Sequence, residues 1–192
     1  MARFNLLRPN CMIDLETLSS YLGAGILSIG ATKFDHTGIL DEFYVNIKLS
    51  SIKKYGLDID KKTLEWWAEQ KDEALEALFK QAIPLDVALK QFNEWYGKDS
   101  LVSWGKGADF DLVIMREAYR KVRQHDNIEL YEPWSFRDGL CARTMFEVFG
   151  TVPGLKPEFN GTAHNALDDA RWQSQFIINI WNVWAEQGQE HV

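Results

Sequence analysis

Asp14 and Glu16, two acidic residues one position apart, are the first residues in the chain that point to chemistry. Residues 11–17 (CMIDLET) predict a short apolar strand, and side chains at positions i and i+2 of a strand lie on the same face. Two like charges on a half-buried strand repel each other and are costly to desolvate. A divalent cation that prefers oxygen ligands, such as Mg²⁺, would offset both effects. Asp-x-Glu also occurs on solvated strands, but the apolar neighbours favour a central, buried strand.

A third acid, Asp111, is predicted to lie on the buried edge of a helix. The positions that share its helical face, Met115, Ala118 and Val122, are all apolar, whereas the face of Asp109 includes a charged arginine. Asp109 is therefore predicted to be the N-cap of this helix, the usual position of an acid there. A buried carboxylate needs a partner, and two remain open for Asp111: a bound metal ion, or a salt bridge to a lysine or arginine.

The last predicted helix supplies a fourth acid and a histidine. Its apolar stripe consists of residues at helical spacing: Trp172, Phe176, Ile177, Ile180, Trp181 and Trp184. At about 100° per residue, Asp169 falls about 30° from the centre of this stripe and Asp168 roughly 130° from it. Asp169 is therefore predicted to be buried and Asp168 to be ordinary helix surface. His164 precedes the helix, and a histidine pKa of about 6.5 suits a group that takes a proton from water near neutral pH.

Asp14, Glu16, Asp111 and Asp169 together predict a two-metal site. Carboxylates from three elements can hold two divalent ions about 3.5–4 Å apart, which would bridge a phosphodiester, activate a water and stabilise the leaving oxygen. Mg²⁺ acidifies bound water less than Zn²⁺ does, so a separate general base is expected, and His164 is predicted to fill that role. Zinc is disfavoured because oxygen ligands dominate.

The periodicity of the apolar residues predicts an α/β fold. Three strands at 11–15, 25–34 and 39–48 are expected to form an antiparallel meander. Two further strands are expected near 101–104 and 134–137, with helices at 60–67, 73–81, 84–96, 109–123, 141–149 and 163–186. This order predicts a mixed sheet flanked by helices, with the first strand in the centre. No repeat or linker divides the chain, so a single domain spanning residues 1–192 is expected.

Composition and charge exclude several classes of function. The net charge of −7 argues against binding of duplex nucleic acid through a broad basic face, although bound metal ions would still let an enzyme hold one strand end. The sequence contains no run of about 18 apolar residues, so it predicts no membrane span. It also has no long apolar segment near the N-terminus, so it predicts no secretory signal. Cys11 and Cys141 form neither a disulfide framework nor a zinc pattern, so a reducing, cytoplasmic location is expected.

Three motifs in this order resemble those of the DEDD 3′–5′ exonuclease superfamily, in its histidine-bearing branch (DEDDh). They are Ile13-Asp14-Leu15-Glu16-Thr17, Phe110-Asp111 and His164-x-x-x-x-Asp169. Each motif is weak alone, but their order and spacing suit the superfamily, and they anchor nearly the whole chain. The resemblance implies an RNase H-like fold with a mixed central sheet of about five strands. It also implies a 3′–5′ exonuclease that uses Mg²⁺ or Mn²⁺.

Two further segments resemble a narrower group of these enzymes. Thr63-Leu64-x-Trp66-Trp67-x-x-Gln70 and Cys141-x-Arg143-Thr144 are similar to segments of phage DexA exonucleases, mycobacterial-type exoribonucleases and exodeoxyribonuclease VIII-like phage and prophage proteins. The resemblance implies degradation of single-stranded RNA or DNA from the 3′ end, with a nucleotide monophosphate as product. One departure is Trp104-Gly105-Lys106-Gly107-Ala108-Asp109, where the family commonly has a polar His-Asn. The roles of Lys106 and Asp109 therefore stay open.

The same segments point to residues that would contact the substrate: Leu15, Thr17, Trp66, Trp67, Phe110 and Arg143. For Trp66 and Trp67 the functional interpretation is a wall on which bases stack, and the alternative is core packing of an amphipathic helix. Arg143 is expected to pair with either an acid or a phosphate. Leu15 and Thr17 are implied to pack on the terminal nucleotide, although ordinary strand packing explains them equally well.

Two other functions compete with an exonuclease. One is a nucleic-acid-binding or adaptor domain that kept the fold and lost catalysis, which complete retention of the five predicted catalytic residues disfavours. The other is an RNase H-like endonuclease, which the His-x-x-x-x-Asp pattern disfavours. The sequence does not decide between RNA and DNA, since discrimination depends on contacts to the 2′-hydroxyl. A homodimer is also open, because Trp181 or Trp184, if exposed, would mark a dimer surface.

Overall fold

A computed structural model describes residues 5–70, 75, 78–98 and 101–189 of the chain. Its five strands form one mixed sheet in the order β3-β2-β1-β4-β5, with β1 in the centre. The strands are β1 (Asn10–Thr17), β2 (Ile26–Asp35), β3 (Gly38–Asn46), β4 (Val102–Gly105) and β5 (Gly139–Cys141). The first three form the predicted antiparallel meander, and β4 and β5 extend the sheet in parallel with β1. The predicted α/β fold with a central first strand is confirmed.

Helices cover both faces of this sheet. In the described residues they are α1 (Leu49–Tyr55), α2 (Lys61–Ala68), α3 (Leu85–Tyr96), α4 (Asp111–Asp126), α5 (Ala142–Phe149) and α6 (Ala166–Gln189). Four of the nine residues of the helix predicted over 73–81 lie outside the described residues, and the described residues 75, 78 and 79 are helical. None of the described helices is both long and apolar enough to cross a membrane.

The alternation of β1 assigns its side chains to two cores. Cys11, Ile13 and Leu15 belong to the larger core, together with residues of α1, α3 and α4. Met12, on the opposite face, belongs to a second core built mainly from α5 and α6. All eight positions of β1 are buried, including those of its polar residues Asn10, Asp14, Glu16 and Thr17. Asp14 and Glu16 share the face of Met12 by the period of two, so they lie on the side of the sheet that α6 covers.

The strand predicted near 134–137 is wrong, because β5 begins only at Gly139. Trp134 is buried and packs with its ring 6.3 Å from those of Phe92 and Tyr119, whereas Phe136 is 73% exposed. The N–H of Asp138 donates to the carbonyl of Ser135 in a turn. Trp134 and Phe136 have the spacing of two residues on one strand face, but Trp134 lies in the core and Phe136 lies in an exposed loop.

Two predicted helix starts are also wrong. Helix α4 begins at Asp111 with Phe110 as N-cap, so Asp109 is not the capping residue. Helix α6 begins at Ala166 rather than at 163, because His164 has a left-handed backbone with φ of 63°. The side-chain oxygen of Asn165 accepts the N–H groups of Leu167 and Asp168 at 3.1 and 3.2 Å, as an N-cap does.

Candidate metal-binding active site

Three of the four predicted ligands converge directly. Asp14 and Glu16 come from β1 and Asp169 from the first turn of α6, and one carboxylate oxygen from each lies within 4.8 Å of the other two. Asp111 begins α4, just after β4. Since β1 and β4 are parallel, Glu16 and Asp111 both lie at the carboxyl end of the sheet. These four acids and His164 line a common cavity of about 240 Å³.

Gly30 lets α6 approach the sheet closely enough to deliver Asp169. Gly30 pairs with Asp14 across the β1–β2 ladder. A Cβ at this position would lie 2.2 Å from the carbonyl carbon of Ala166 and 2.3 Å from the nitrogen of Leu167. The first turn of α6 therefore rests its backbone directly on β2, beside Asp14. Only glycine leaves room for this contact.

Asp111 is held by backbone groups rather than by a salt bridge. Its Oδ1 accepts the N–H of Leu15 at 3.2 Å, and its Oδ2 accepts the N–H of Lys106 at 2.8 Å. The carboxylate is only 2% exposed, and no salt bridge to it occurs within the described part of the chain. A Cβ on Gly105 would come within 3.1 Å of Asp111 Oδ2, so this glycine makes room for the carboxylate at the end of β4.

Burial raises the pKa of all four acids, and repulsion among them adds to the rise for Asp14 and Glu16. Burial is the largest cause for Asp14, whose pKa rises well above its usual value, and the charges of Asp111, Glu16 and Asp169 add to the rise. Burial raises the pKa of Glu16 to about 8, with Asp169 and Asp111 adding to it and Lys106 opposing it. Burial also raises the pKa of Asp111 to about 6, against the backbone N–H groups that lower it.

Lys106 alone does not balance this negative charge. Its ammonium group lowers the pKa of Glu16, Asp111 and Asp169, yet burial keeps the pKa of each above its usual value. Crowded, partly desolvated oxygen donors that lack sufficient positive charge fit hard divalent cations such as Mg²⁺ and Mn²⁺. With no cysteine and one histidine at the cavity, the donor set does not resemble a zinc site.

The ring of His164 lies against α2. Its centroid is 4.7 Å from the Trp66 ring and 6.1 Å from the Trp67 ring, both edge-to-face. Trp67 is 4% exposed and its Nε1 donates to the carbonyl of Thr17 at 2.8 Å, which ties α2 to the end of β1. Trp66 is 40% exposed. The core-packing alternative therefore holds for Trp67, and Trp66 keeps a surface for other contacts.

Asp168 is not the ordinary surface residue that its helical position predicts. Its Oδ2 accepts the N–H of Thr162 at 2.9 Å, and its Oδ1 accepts Nη1 of Arg171 at 2.7 Å. Arg171 also donates twice to Glu42 of β3, at 2.8 and 2.6 Å. This chain of contacts ties the segment before His164 to α6 and to the sheet. The helical wheel missed it because Asp168 bonds to a loop, not to the core.

The predicted substrate-binding residues do not all reach the cavity. Leu15, Phe110 and Arg143 line it, together with Lys106. Arg143 donates from Nη2 to the carbonyl of Lys106 at 3.1 Å, so the two basic residues lie on one wall. Thr17 is not among the lining residues: its hydroxyl donates to the carbonyl of Ser19 at 2.7 Å.

Gln173 is a polar residue at this site that the sequence interpretation missed. Its Nε2 donates to Oδ1 of Asp14 at 2.6 Å, and the side chain is fully buried. It lies four residues after Asp169 and so on the same side of α6. A polar residue inside an apolar stripe is the signal that would have found it.

Comparisons with known proteins agree with this fold. A sequence profile of the family described as 3′-5′ exoribonuclease Rv2179c-like domain matches residues 9–181. DNA polymerase III PolC-type from Listeria innocua serovar 6a is 31% identical over 113 residues, which is 58% of this chain and only 7% of that protein. The nuclease domain of 3′hExo, described as a DEDDh family member bound to rAMP, has a TM-score of 0.58 at 13% identity, covering 91% of this chain and 92% of that one.

Exonuclease X, in complex with 5′ overhanging duplex DNA, is also similar in fold, with a TM-score of 0.53 at 15% identity over 91% of this chain and 92% of that one. The family match and these structures define a DEDDh 3′–5′ exonuclease domain with an RNase H-like fold. The chain belongs to the Rv2179c-like 3′–5′ exoribonuclease domain family, a family of hydrolases.

Proposed function

We propose that this chain removes nucleotides from the 3′ end of single-stranded nucleic acid, with two divalent ions, Mg²⁺ or Mn²⁺, as cofactors. Asp14, Glu16, Asp111 and Asp169 would hold the ions. The observation that carries the proposal is the approach of three carboxylates from two elements to within 4.8 Å in a buried setting. Bound divalent ions supply an acidified water and stabilise negative charge on phosphate oxygens.

His164 is proposed as the general base that takes the proton from water. It lines the same cavity as the acids, and its backbone N–H group and its charge both act on Asp169. Its ring packs against the two indole rings of α2. A positioned base of this kind contributes about 10²–10⁴-fold to rate.

The substrate is proposed to be a single-stranded 3′ end, of RNA or of DNA, released as a nucleotide monophosphate. The family description names an exoribonuclease, the 3′hExo structure contains rAMP, and Exonuclease X is bound to DNA with a 5′ overhang. The exposed part of Trp66 offers a surface on which a base can stack. Lys106 and Arg143, which line the cavity, offer positive charge for a phosphate in a protein whose net charge is −7.

End-labelled digestion tests this function directly. Matched 5′-labelled RNA and DNA strands are incubated with Mg²⁺, Mn²⁺ or chelator, and a descending ladder that needs metal is expected. Asp111→Asn should abolish the ladder while the protein stays folded. Asp109→Asn is the matched control, because Asp109 is an exposed acid two positions away that does not line the cavity. A ladder that persists in chelator, or in Asp111→Asn, would contradict the two-metal proposal.

The same experiment separates the rival functions. A single internal cut would indicate an endonuclease. No cleavage, together with no calorimetric binding of Mn²⁺ at millimolar concentration, would indicate a non-catalytic binding or adaptor domain.

Three further predictions have not been tested. The single domain over 1–192 and the cytoplasmic location stay predictions. A homodimer also stays a prediction: Trp184 is 54% exposed and packs on the buried Trp181, with ring centroids 5.1 Å apart. Sedimentation measurements on the protein and on Trp184→Ala would test it.

A further inference from the structure

Gln173, in the first half of α6, has a fully buried side-chain amide, and one of the two polar atoms of this amide contacts the candidate site. Its Nε2 lies 2.6 Å from Oδ1 of Asp14, across 159 residues of sequence. When Asp14 binds a divalent ion it is ionised and only accepts hydrogen bonds, so the nitrogen of the amide, rather than its oxygen, then faces it. Within the described residues, Asp14 receives this one hydrogen bond from another side chain.

The other end of the same amide has no partner. Gln173 Oε1 is buried and accepts no hydrogen bond within the described ranges. A buried acceptor without a donor lowers stability. The neighbours of Gln173 on α6, Ala170, Phe176 and Ile177, are all buried and apolar, so an apolar side chain would suit position 173 better. Packing therefore does not explain a glutamine here, whereas the contact with Asp14 does.

The hydrogen bond restricts how Asp14 presents its oxygens. Asp14 belongs to the central strand, so its backbone is fixed, and the amide then fixes the rotation of the carboxylate. Oδ1 accepts the amide, and one oxygen of Asp14 lies within 4.8 Å of an oxygen of Glu16 and of Asp169. Asp169 and Gln173 are one turn apart on α6, so a single helix places one ligand and orients another.

We propose that Gln173 is a positioning residue that orients Asp14 for binding of divalent ions. This inference rests on the proposed function, because it assumes that the carboxylate cluster binds metal. Partners that orient metal ligands typically change metal affinity by about 10–100-fold when they are removed.

Gln173→Met tests the proposal, with Ser174→Ala as a matched control. Methionine is flexible and apolar, and fills the space of glutamine without donating a hydrogen bond. Ser174 is the next residue, equally buried, and its hydroxyl lies 2.6 Å from that of Thr32 on β2. Both variants remove one buried polar contact between α6 and the sheet, but only one of these contacts reaches a predicted ligand.

Two measurements give opposite patterns for the two variants. In calorimetry with Mn²⁺ alone, Gln173→Met should raise the Kd by about 10–100-fold, and Ser174→Ala should leave it unchanged. In thermal unfolding with chelator, Gln173→Met should lower Tm less than Ser174→Ala does, because removal of the unsatisfied Gln173 Oε1 offsets the loss of the donor to Asp14 Oδ1. Gln173→Asn, one methylene shorter, keeps the amide but withdraws it from Asp14 and should also weaken Mn²⁺ binding.

The outcomes separate this inference from the function on which it rests. A wild-type protein that binds no Mn²⁺ would overturn the proposed function. Normal Mn²⁺ binding by the wild-type protein and by Gln173→Met would overturn the positioning role alone. A Gln173→Met chain that does not fold, or whose Tm falls as far as that of Ser174→Ala, would assign Gln173 a structural role and overturn the proposal as well.

Discussion

Glu16 makes the stability of the metal-free protein depend on pH in an unusual direction. Its side chain is 9% exposed, and burial together with Asp169 and Asp111 raises its pKa from 4.5 to about 8, against the opposing charge of Lys106. Most acids in folded proteins have a lowered pKa and stabilise the fold as pH rises. Glu16 does the reverse, because its protonated form is the one that the folded protein favours.

The sign and size of the effect follow from linkage. A carboxyl group with a raised folded pKa contributes stability that is fully present below its unfolded pKa and is lost as pH rises through the folded value. The difference between 4.5 and about 8, at about 1.4 kcal/mol per pKa unit, corresponds to roughly 5 kcal/mol lost by pH 8 and above. That is comparable with the whole stability of many domains, about 5–15 kcal/mol. Bound divalent cations would restore it, so their stabilising effect should increase with pH.

Urea unfolding in chelator, at about pH 6 and about pH 8.5, measures the part of this loss that falls above pH 6, roughly 3 kcal/mol, and Glu16→Gln is the control. Glutamine resembles the protonated acid, so the variant should lose much less stability between the two pH values than the wild-type protein. The range ends near pH 8.5 because thiols of the unfolded chain ionise above it. Added Mn²⁺ should stabilise the wild-type protein more at the higher pH and Glu16→Gln much less. Equal losses in wild type and Glu16→Gln would refute the reasoning.

Three further predictions follow from the geometry of the site. His164→Gln should lower kcat by about 10²–10⁴-fold, and a kcat close to that of the wild-type protein would assign the base elsewhere. Gly30→Ala places a Cβ 2.2 Å from the Ala166 backbone and should cost about 1–3 kcal/mol in chemical unfolding, with weaker Mn²⁺ binding as α6 moves away. Trp66→Ala should raise KM by about 5–150-fold, the equivalent of about 1–3 kcal/mol for one stacked base. Its Tm should change little, since Trp66 is 40% exposed. An unchanged KM would argue against stacking.

Much of the fold could be predicted from local patterns in the sequence. The apolar run around Asp14 predicted a central strand, and β1 is indeed central and buried at every position. Helical spacing placed Asp111 on a buried face, and that residue is 2% exposed. These inferences succeeded because the period of two in strands and of 3.6 in helices depends only on neighbouring residues. Motif order then pointed to the exonuclease family, which the profile match over 9–181 confirms.

Contacts between distant segments were decided by the tertiary structure alone. No local pattern predicts that Gln173 reaches Asp14, that Gly30 receives the backbone of α6, or that Asp168 anchors a loop. Each of these contacts depends on how whole faces of the sheet and helices pack. The sequence by itself therefore determined which side chains are acidic and that Asp14, Glu16 and Asp111 are buried, whereas Asp169, predicted to be buried, is half-buried like Asp168. Tertiary packing determined how close they come to one another, because that distance is set by elements far apart along the chain.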